Sequence, residues 1–339
     1  MTWQGRGVVR VAALTGILLA LTSCSVLSHG PRTASGYGAS HPATTASLSL
    51  GAGVPVGQAV DVIGLPGYPA AVGIGFGSVW VGVAVGVGGL LDRVDPATDH
   101  VVAKIAVGGY PGRIAVGAAA LWVTNYNDGT VSRVNPATNR VTATIPVGAG
   151  PFGIAVDAGM LWVGNTDSTV VRIDPDVNRR VQTLRLGSGG LFRGLAAGFG
   201  SVWVASADGR ITRLDSATGK ILATVRIPRC CDGEFAVGRD AVWMSNATDH
   251  RVREIDAATN RVVTEVAVDG KPCGIGVAGG LVWTASTDTG TLTRIDPISG
   301  KVVGRTHLTP SDALTVSGGA VWDLSGTAQV LYRVQAGRS

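Results

Sequence analysis

Residues 121–139 read Leu121-Trp122-Val123-Thr124-Asn125-Tyr126-Asn127-Asp128-Gly129-Thr130-Val131-Ser132-Arg133-Val134-Asn135-Pro136-Ala137-Thr138-Asn139. The first five residues favour a strand and carry one heavy ring, Trp122. Asn127-Asp128-Gly129 then signals a hairpin, because these residues tolerate the left-handed backbone that a tight turn needs. Residues 130–134 alternate apolar and polar, as a half-buried strand does. Asn135-Pro136-Ala137-Thr138-Asn139 is a second turn: Asn135 can bond back to the turn's N–H groups, Pro136 presets φ, and Asn139 accepts a left-handed conformation. Upstream, residues 112–117 are small and apolar and suit an innermost strand. Downstream, residues 141–147 supply the outermost one. The unit predicts four antiparallel strands.

It recurs along the chain. Trp80, Trp122, Trp162, Trp203, Trp243, Trp283 and Trp322 are separated by 42, 40, 41, 40, 40 and 39 residues. Seven anchors near that period match the blade length of a β-propeller. Helical solenoids share the period but need apolar faces at helical spacing, which are absent here. The second turn also recurs, starting at Asp95, Asp174, Asp215, Asp256 and Asp296 and closing four places on at Asp99, Asn178, Gly219, Asn260 and Gly300. The expected fold is therefore all-β, a seven-bladed propeller of four-stranded antiparallel blades over residues 58–339. The seventh repeat, residues 313–335, is one strand short, while residues 59–65 stand alone before the first repeat. The N-terminal strand should complete the last blade and remove both free sheet edges.

Composition agrees. The chain has 339 residues, of which 50 are Gly and 15% are charged, with a formal net charge of +5. Such balance, with no basic run, gives no footprint for nucleic acid.

Ahead of the repeats lies a targeting segment. Arg6 and Arg10 precede an apolar run over 11–21, too short to span a bilayer but suited to a signal-peptide core. It ends in Leu21-Thr22-Ser23-Cys24, which resembles the bacterial lipobox. That resemblance implies a signal peptide over 1–23, a diacylglycerol on Cys24 and an extracytoplasmic, membrane-anchored protein. Residues 24–57, rich in Ser, Gly, Ala, Thr and Pro, read as a flexible tether.

The blade pattern quoted above, with Gly148 to Pro151 after it, resembles the YVTN repeats of bacterial surface propellers across 58–335. That likeness specifies the fold and leaves activity open. The same blades resemble the streptogramin lyases, seven-bladed propellers in which glutamates hold magnesium near a catalytic histidine. This chain departs from that pattern. Its only glutamates are Glu234, Glu254 and Glu265, and only Glu234 and His250 fall on the expected ligand-binding face. They are weak catalytic candidates. No nucleophile elbow and no phosphate-cradling loop is present.

The two function classes are thus a non-catalytic binding or scaffolding propeller and, as the alternative, a metal-assisted C–O lyase. The first is preferred, as a monomer with no cofactor and no metal, whose partner is a small molecule, a glycan or an envelope protein. The inner loops of one face vary between blades while the scaffold does not. They supply the ligand-binding candidates Tyr110, Arg113, Phe152, Arg193, Glu234, Lys271 and Asp312, joined by His250 from an outer loop. The recurring Arg93, Arg133, Arg172, Arg213, Arg294 and Arg333 read as ion pairs at blade edges, and the Trp residues as packing between blades. His100, Arg140, Arg179, Lys220, Arg261 and Lys301 form a basic rim on the other face, protecting edge strands. Cys273 is expected to pair with Cys231 or Cys230, since adjacent loops of an oxidised protein can be bridged.

Overall fold

The computed structural model describes residues 58–187, 192–228, 232–238, 240–317 and 319–336. The signal peptide, Cys24, the tether, Cys230, Cys231 and the side chain of Arg193 lie outside the described residues. Within them there is no helix, and seven four-stranded antiparallel sheets form the ring. Their innermost strands are Tyr68–Gly75, Pro111–Gly117, Pro151–Asp157, Phe192–Gly198, Phe235–Val237, Pro272–Ala278 and Ala313–Ser317. These define blades 1 to 7 in order around the hub. Strand Ala59–Gly64 pairs with Val330–Gln335, placing Ile63 opposite Leu331 and Val62 opposite Tyr332. The chain's two ends therefore meet in blade 7, as the missing strand required.

Each tryptophan sits on the second strand of its blade and is buried against the next blade. Burial of an indole removes on the order of 200 Å² from water, so the seven rings carry much of the adhesion between sheets. At the hub the inner strands approach closely, and glycine makes room. A Cβ on Gly198 would sit 2.6 Å from Val237 Cγ1, and one on Gly117 2.8 Å from Val156 Cγ1.

The outer turns behave as their sequence dictates. Asp95 Oδ1 accepts from Ala97 N at 2.9 Å, and Asn135 Oδ1 accepts from Ala137 N at 2.9 Å. Asp99, Asn139, Asn178 and Asn260 close their turns at φ values of 56°, 53°, 52° and 58°.

The recurring arginines do more than pair at an edge. Each lies over its own blade's tryptophan, with the guanidinium carbon 5.0–5.8 Å from the ring. Four of them also donate into the turn of the following blade. Arg93 reaches Pro136 O at 3.0 Å and Asn139 Oδ1 at 3.2 Å, and Arg133 reaches Pro175 O and Asn178 Oδ1. Arg213 reaches Ala257 O and Asn260 Oδ1. Arg333 of blade 7 reaches Pro96 O at 3.0 Å and Asp99 of blade 1 at 3.4 Å, fastening the closure. Arg333 thus makes an ion pair with Asp99, while Arg93, Arg133 and Arg213 are received by carbonyls and amides. The Asn or Asp that ends each engaged turn serves twice, adopting the left-handed backbone and accepting the neighbour's arginine.

Candidate functional site

The variable residues gather where the hub opens. Arg113 lies on the inner strand of blade 2 rather than in a loop. Its guanidinium crosses the channel to the carboxylate of Glu234 on blade 5. It also packs over the Phe152 ring at 4.4 Å and donates from Nη1 to Gly112 O at 2.8 Å. Both ends of the bridge are held from behind by a hydroxyl. Arg113 N donates to Thr124 Oγ1 at 2.9 Å, and Glu234 N donates to Ser245 Oγ at 3.0 Å. Ser245 Oγ in turn donates to Cys273 O at 2.5 Å, tying blade 5 to blade 6. Burial pushes the Glu234 carboxyl above its ordinary range, although Arg113 pulls it back. A cavity of about 80 Å³ adjoins the pair, lined by Ile114, Gly153, Ile154, Gly194, Leu195 and Phe235. It is large enough for a few waters.

Around this bridge lies an aromatic arc. Tyr126 makes edge contacts with Tyr110 at 5.9 Å and with Phe152 at 6.4 Å. Tyr126 N also donates to Tyr110 O at 3.0 Å. Tyr110 holds φ at 53°, a conformation that costs a bulky residue free energy and that surrounding contacts must enforce. On the other side, Asp312 is buried. It accepts from Gly326 N at 2.6 Å and from the Tyr68 hydroxyl at 3.4 Å. Burial drives the phenols of Tyr68 and Tyr110 well above their ordinary range, and the charge of Asp312 adds to both shifts. Both phenols therefore stay neutral hydrogen-bond donors at any physiological pH.

The structure thus brings together Tyr110, Arg113, Phe152, Glu234 and Asp312. It does not bring His250 to Glu234. His250 is exposed on an outer loop of blade 5, and its carbonyl accepts from Val268 N at 3.0 Å. The loop of Lys271 is fixed through its backbone, with Lys271 N donating to Asp288 Oδ1 at 2.8 Å. Cys273 is buried and disulfide-bonded, with both candidate partners outside the described residues. The basic rim residues His100, Arg140, Arg179, Lys220, Arg261 and Lys301 are all exposed.

Three features escaped the sequence reading. Tyr126 sits on an outer loop yet completes the aromatic arc. Thr124 and Ser245 support the bridge, and a signal for them existed. Two places after the tryptophan the other blades carry Gly82, Gly164, Ala205, Ala285 and Leu324, so only blades 2 and 5 have a hydroxyl there. The third is Asp323, buried one place after Trp322, with Ser311 Oγ donating to its carboxylate. Burial pushes its pKa up to about 7.

Asp323 makes stability depend on pH. The folded state holds this proton to a higher pH than the unfolded chain, whose carboxyl titrates near its ordinary 3.8. Its contribution is complete below about pH 4 and is lost as pH rises through about 7. Asp99, raised to about 6, acts in the same direction. Urea unfolding of the wild type should therefore show stability falling between pH 5 and pH 8. In Asp323→Asn the slope should be roughly halved, with a gain on the order of 1–3 kcal/mol at pH 8. A parallel pair of curves would contradict the assignment.

The hub thus defines a class, a closed propeller whose channel is bridged by the Arg113–Glu234 ion pair near an aromatic and acidic mouth. The sequence profile of the family described as outer membrane protein assembly factor BamB matches residues 88–303 and again 207–333. The chain belongs to that family. Among solved structures, the Kuenenia stuttgartiensis hydrazine synthase is similar with a TM-score of 0.69 and 16% identity, over 80% of this chain and 96% of that one. The computationally designed Ika8 protein has a TM-score of 0.61 at 14% identity, over 80% and 98% of the two chains. At such identities both likenesses concern the fold alone. No curated protein matches the chain in sequence.

Proposed function

We propose that the chain is a non-catalytic, extracytoplasmic lipoprotein. In this reading a lipid on Cys24 and the 24–57 tether hold a monomeric propeller at the membrane. The mouth of the hub binds an envelope protein. The family supports that choice of partner over a glycan or small molecule, because its description is of a factor that assembles outer membrane proteins. The observation that carries the reading is the Arg113–Glu234 bridge. It spans the hub beside Phe152, whose ring continues through Tyr126 to Tyr110, with Tyr68 bonded to buried Asp312 on the other side. Aromatic anchors with a few polar groups are what a protein interface concentrates at its centre.

The lyase alternative requires a glutamate and a histidine converging on a metal. Glu234 is engaged by Arg113, and His250 is exposed on a separate outer loop. Among the described residues no group of three or more His, Cys, Asp or Glu is placed to hold a metal. The residues do not fit that chemistry, and no reaction step is drawn through them.

The test places a photo-crosslinking residue at Asn127, exposed beside the aromatic arc, and in a second protein at Val303, exposed on an outer strand. In intact cells the Asn127 protein should form a discrete adduct with an envelope protein, and the Val303 protein should not. Cys24→Ser should move the protein from the membrane to the soluble fraction. Adducts from both positions alike would remove the mouth as the binding surface, and unchanged fractionation would remove the lipid anchor.

A further inference from the structure

Six blades place an arginine over their tryptophan; blade 5 does not. Opposite Trp243, at the register position held elsewhere by arginine, stands Glu254. The neighbouring Arg253 cannot substitute. It is buried on the other face of the sheet, held by Asp249 and by Glu265, whose Oε1 accepts from Nε at 3.0 Å. Two further parts of the clasp are also changed. In blades 1 and 4 the arginine Nε donates to a serine two places before the tryptophan, Ser78 or Ser201, at 2.8 Å; blade 5 has Ala241 there. The next blade's turn ends in Gly300 rather than Asn, so it offers no side-chain acceptor.

The result is a cavity of about 370 Å³ between blades 5 and 6. Part of its wall consists of counterparts of the residues that meet the guanidinium in the other blades, and Asp240 adds a second carboxylate. Trp243 and Ala241 lie behind, Glu254 takes the arginine's place, and Pro297 is the counterpart of Pro136 and Pro175. Ile298, almost fully exposed, stands at the rim. Thr264 donates to Glu254 Oε2 at 2.6 Å, orienting the carboxylate, and among the described residues nothing donates to Oε1. An indole face and an oriented carboxylate together select a planar cation: the ring attracts it through its quadrupole, and the carboxylate accepts its N–H pairs.

We propose that this pocket binds a guanidinium group supplied from outside the chain, so that an arginine in trans completes the one clasp the sequence leaves open. The protein has in effect exchanged an internal cation for a site of the opposite charge, keeping the aromatic platform and the turn that receive it. The site lies apart from the hub, and its test does not involve the mouth.

Purified protein is titrated calorimetrically with N-acetylarginine amide, and with N-acetylcitrulline amide as the neutral isostere. The arginine compound should bind with a dissociation constant of about 1 mM, the range of a single well-placed contact. At ten times that concentration it should raise Tm by about 3 °C, and the citrulline compound should do neither. Glu254→Gln should weaken binding about tenfold, the loss expected when one charged partner goes. Glu254→Arg, which installs the group six other blades already carry, should abolish binding and raise Tm without ligand. A short peptide with a central arginine that binds at least tenfold more tightly would assign the group to a protein partner; equal affinity would assign it to a free guanidinium compound. Equal binding of arginine and citrulline amides, or undiminished binding by Glu254→Arg, overturns the proposal.

Discussion

Removing residues 59–64 will open the ring. This strand contributes a ladder with Val330–Gln335 that runs from Ala59 opposite Val334 to Gly64 opposite Val330, extended by Leu65 N donating to Gln329 O at 2.8 Å. Ile63 and Leu65 are buried with Leu331, Leu324 and Val79 in one cluster. Loss of buried Ile63 and of several backbone hydrogen bonds, with Leu65 undocked beside it, removes on the order of 5–8 kcal/mol. That approaches the whole stability of a typical domain, about 5–15 kcal/mol. The deletion also bares the edge of Val330–Gln335, a template for pairing between chains. The expected result is a protein without a cooperative urea transition that elutes as aggregate on gel filtration. Deleting six residues of the tether should leave the transition unchanged. A ring-opened variant melting within a few degrees of the wild type would mean that the seventh sheet needs no fourth strand.

Arg113→Ala should cost about 3 kcal/mol, because it leaves Glu234 in the hub without its cation. The figure sits at the low end for buried pairs because both side chains keep some exposure, 15% and 17%. Replacing both residues, as Arg113→Met with Glu234→Leu, should bring stability back to within about 1 kcal/mol of the wild type, since neither charge then needs solvation. The cost of the single variant should also vary with pH. Burial already raises the Glu234 carboxyl, and loss of the guanidinium raises it further. The variant's folded state then prefers the neutral acid, so the gap from wild type widens as pH rises and narrows as Glu234 protonates. Urea unfolding at pH 5 and pH 8 measures this. A pH-independent gap, or additive single variants, would show that the bridge is incidental to the hub.

The architecture was legible because a blade is a local object. Trp122, the hairpin Asn127-Asp128-Gly129 and the turn Asn135–Asn139 each act within a few residues, and a repeat near 40 residues multiplies the signal sevenfold. The closure could be inferred because a strand was missing at one end and in surplus at the other. The mouth was legible only in part. Tyr110, Arg113, Phe152, Glu234 and Asp312 were found as residues that vary where the scaffold makes no demand. Glu234 and His250 were singled out only because both fall on the expected ligand-binding face, which says nothing of their partners. The ring sets a different neighbour: Glu234 meets Arg113, 121 residues away and three blades round.

The amino-acid sequence by itself determined the number of blades, their turns and the order in which they close, because periodic burial and turn chemistry are properties of short segments. Only the tertiary structure decided who meets whom across the hub and between sheets. The Arg113–Glu234 bridge, the arginines that clasp the following blade and the vacant clasp beside Glu254 all join residues from different repeats. Such contacts follow from the curvature that brings the sheets around a common axis, a geometry that no single repeat contains.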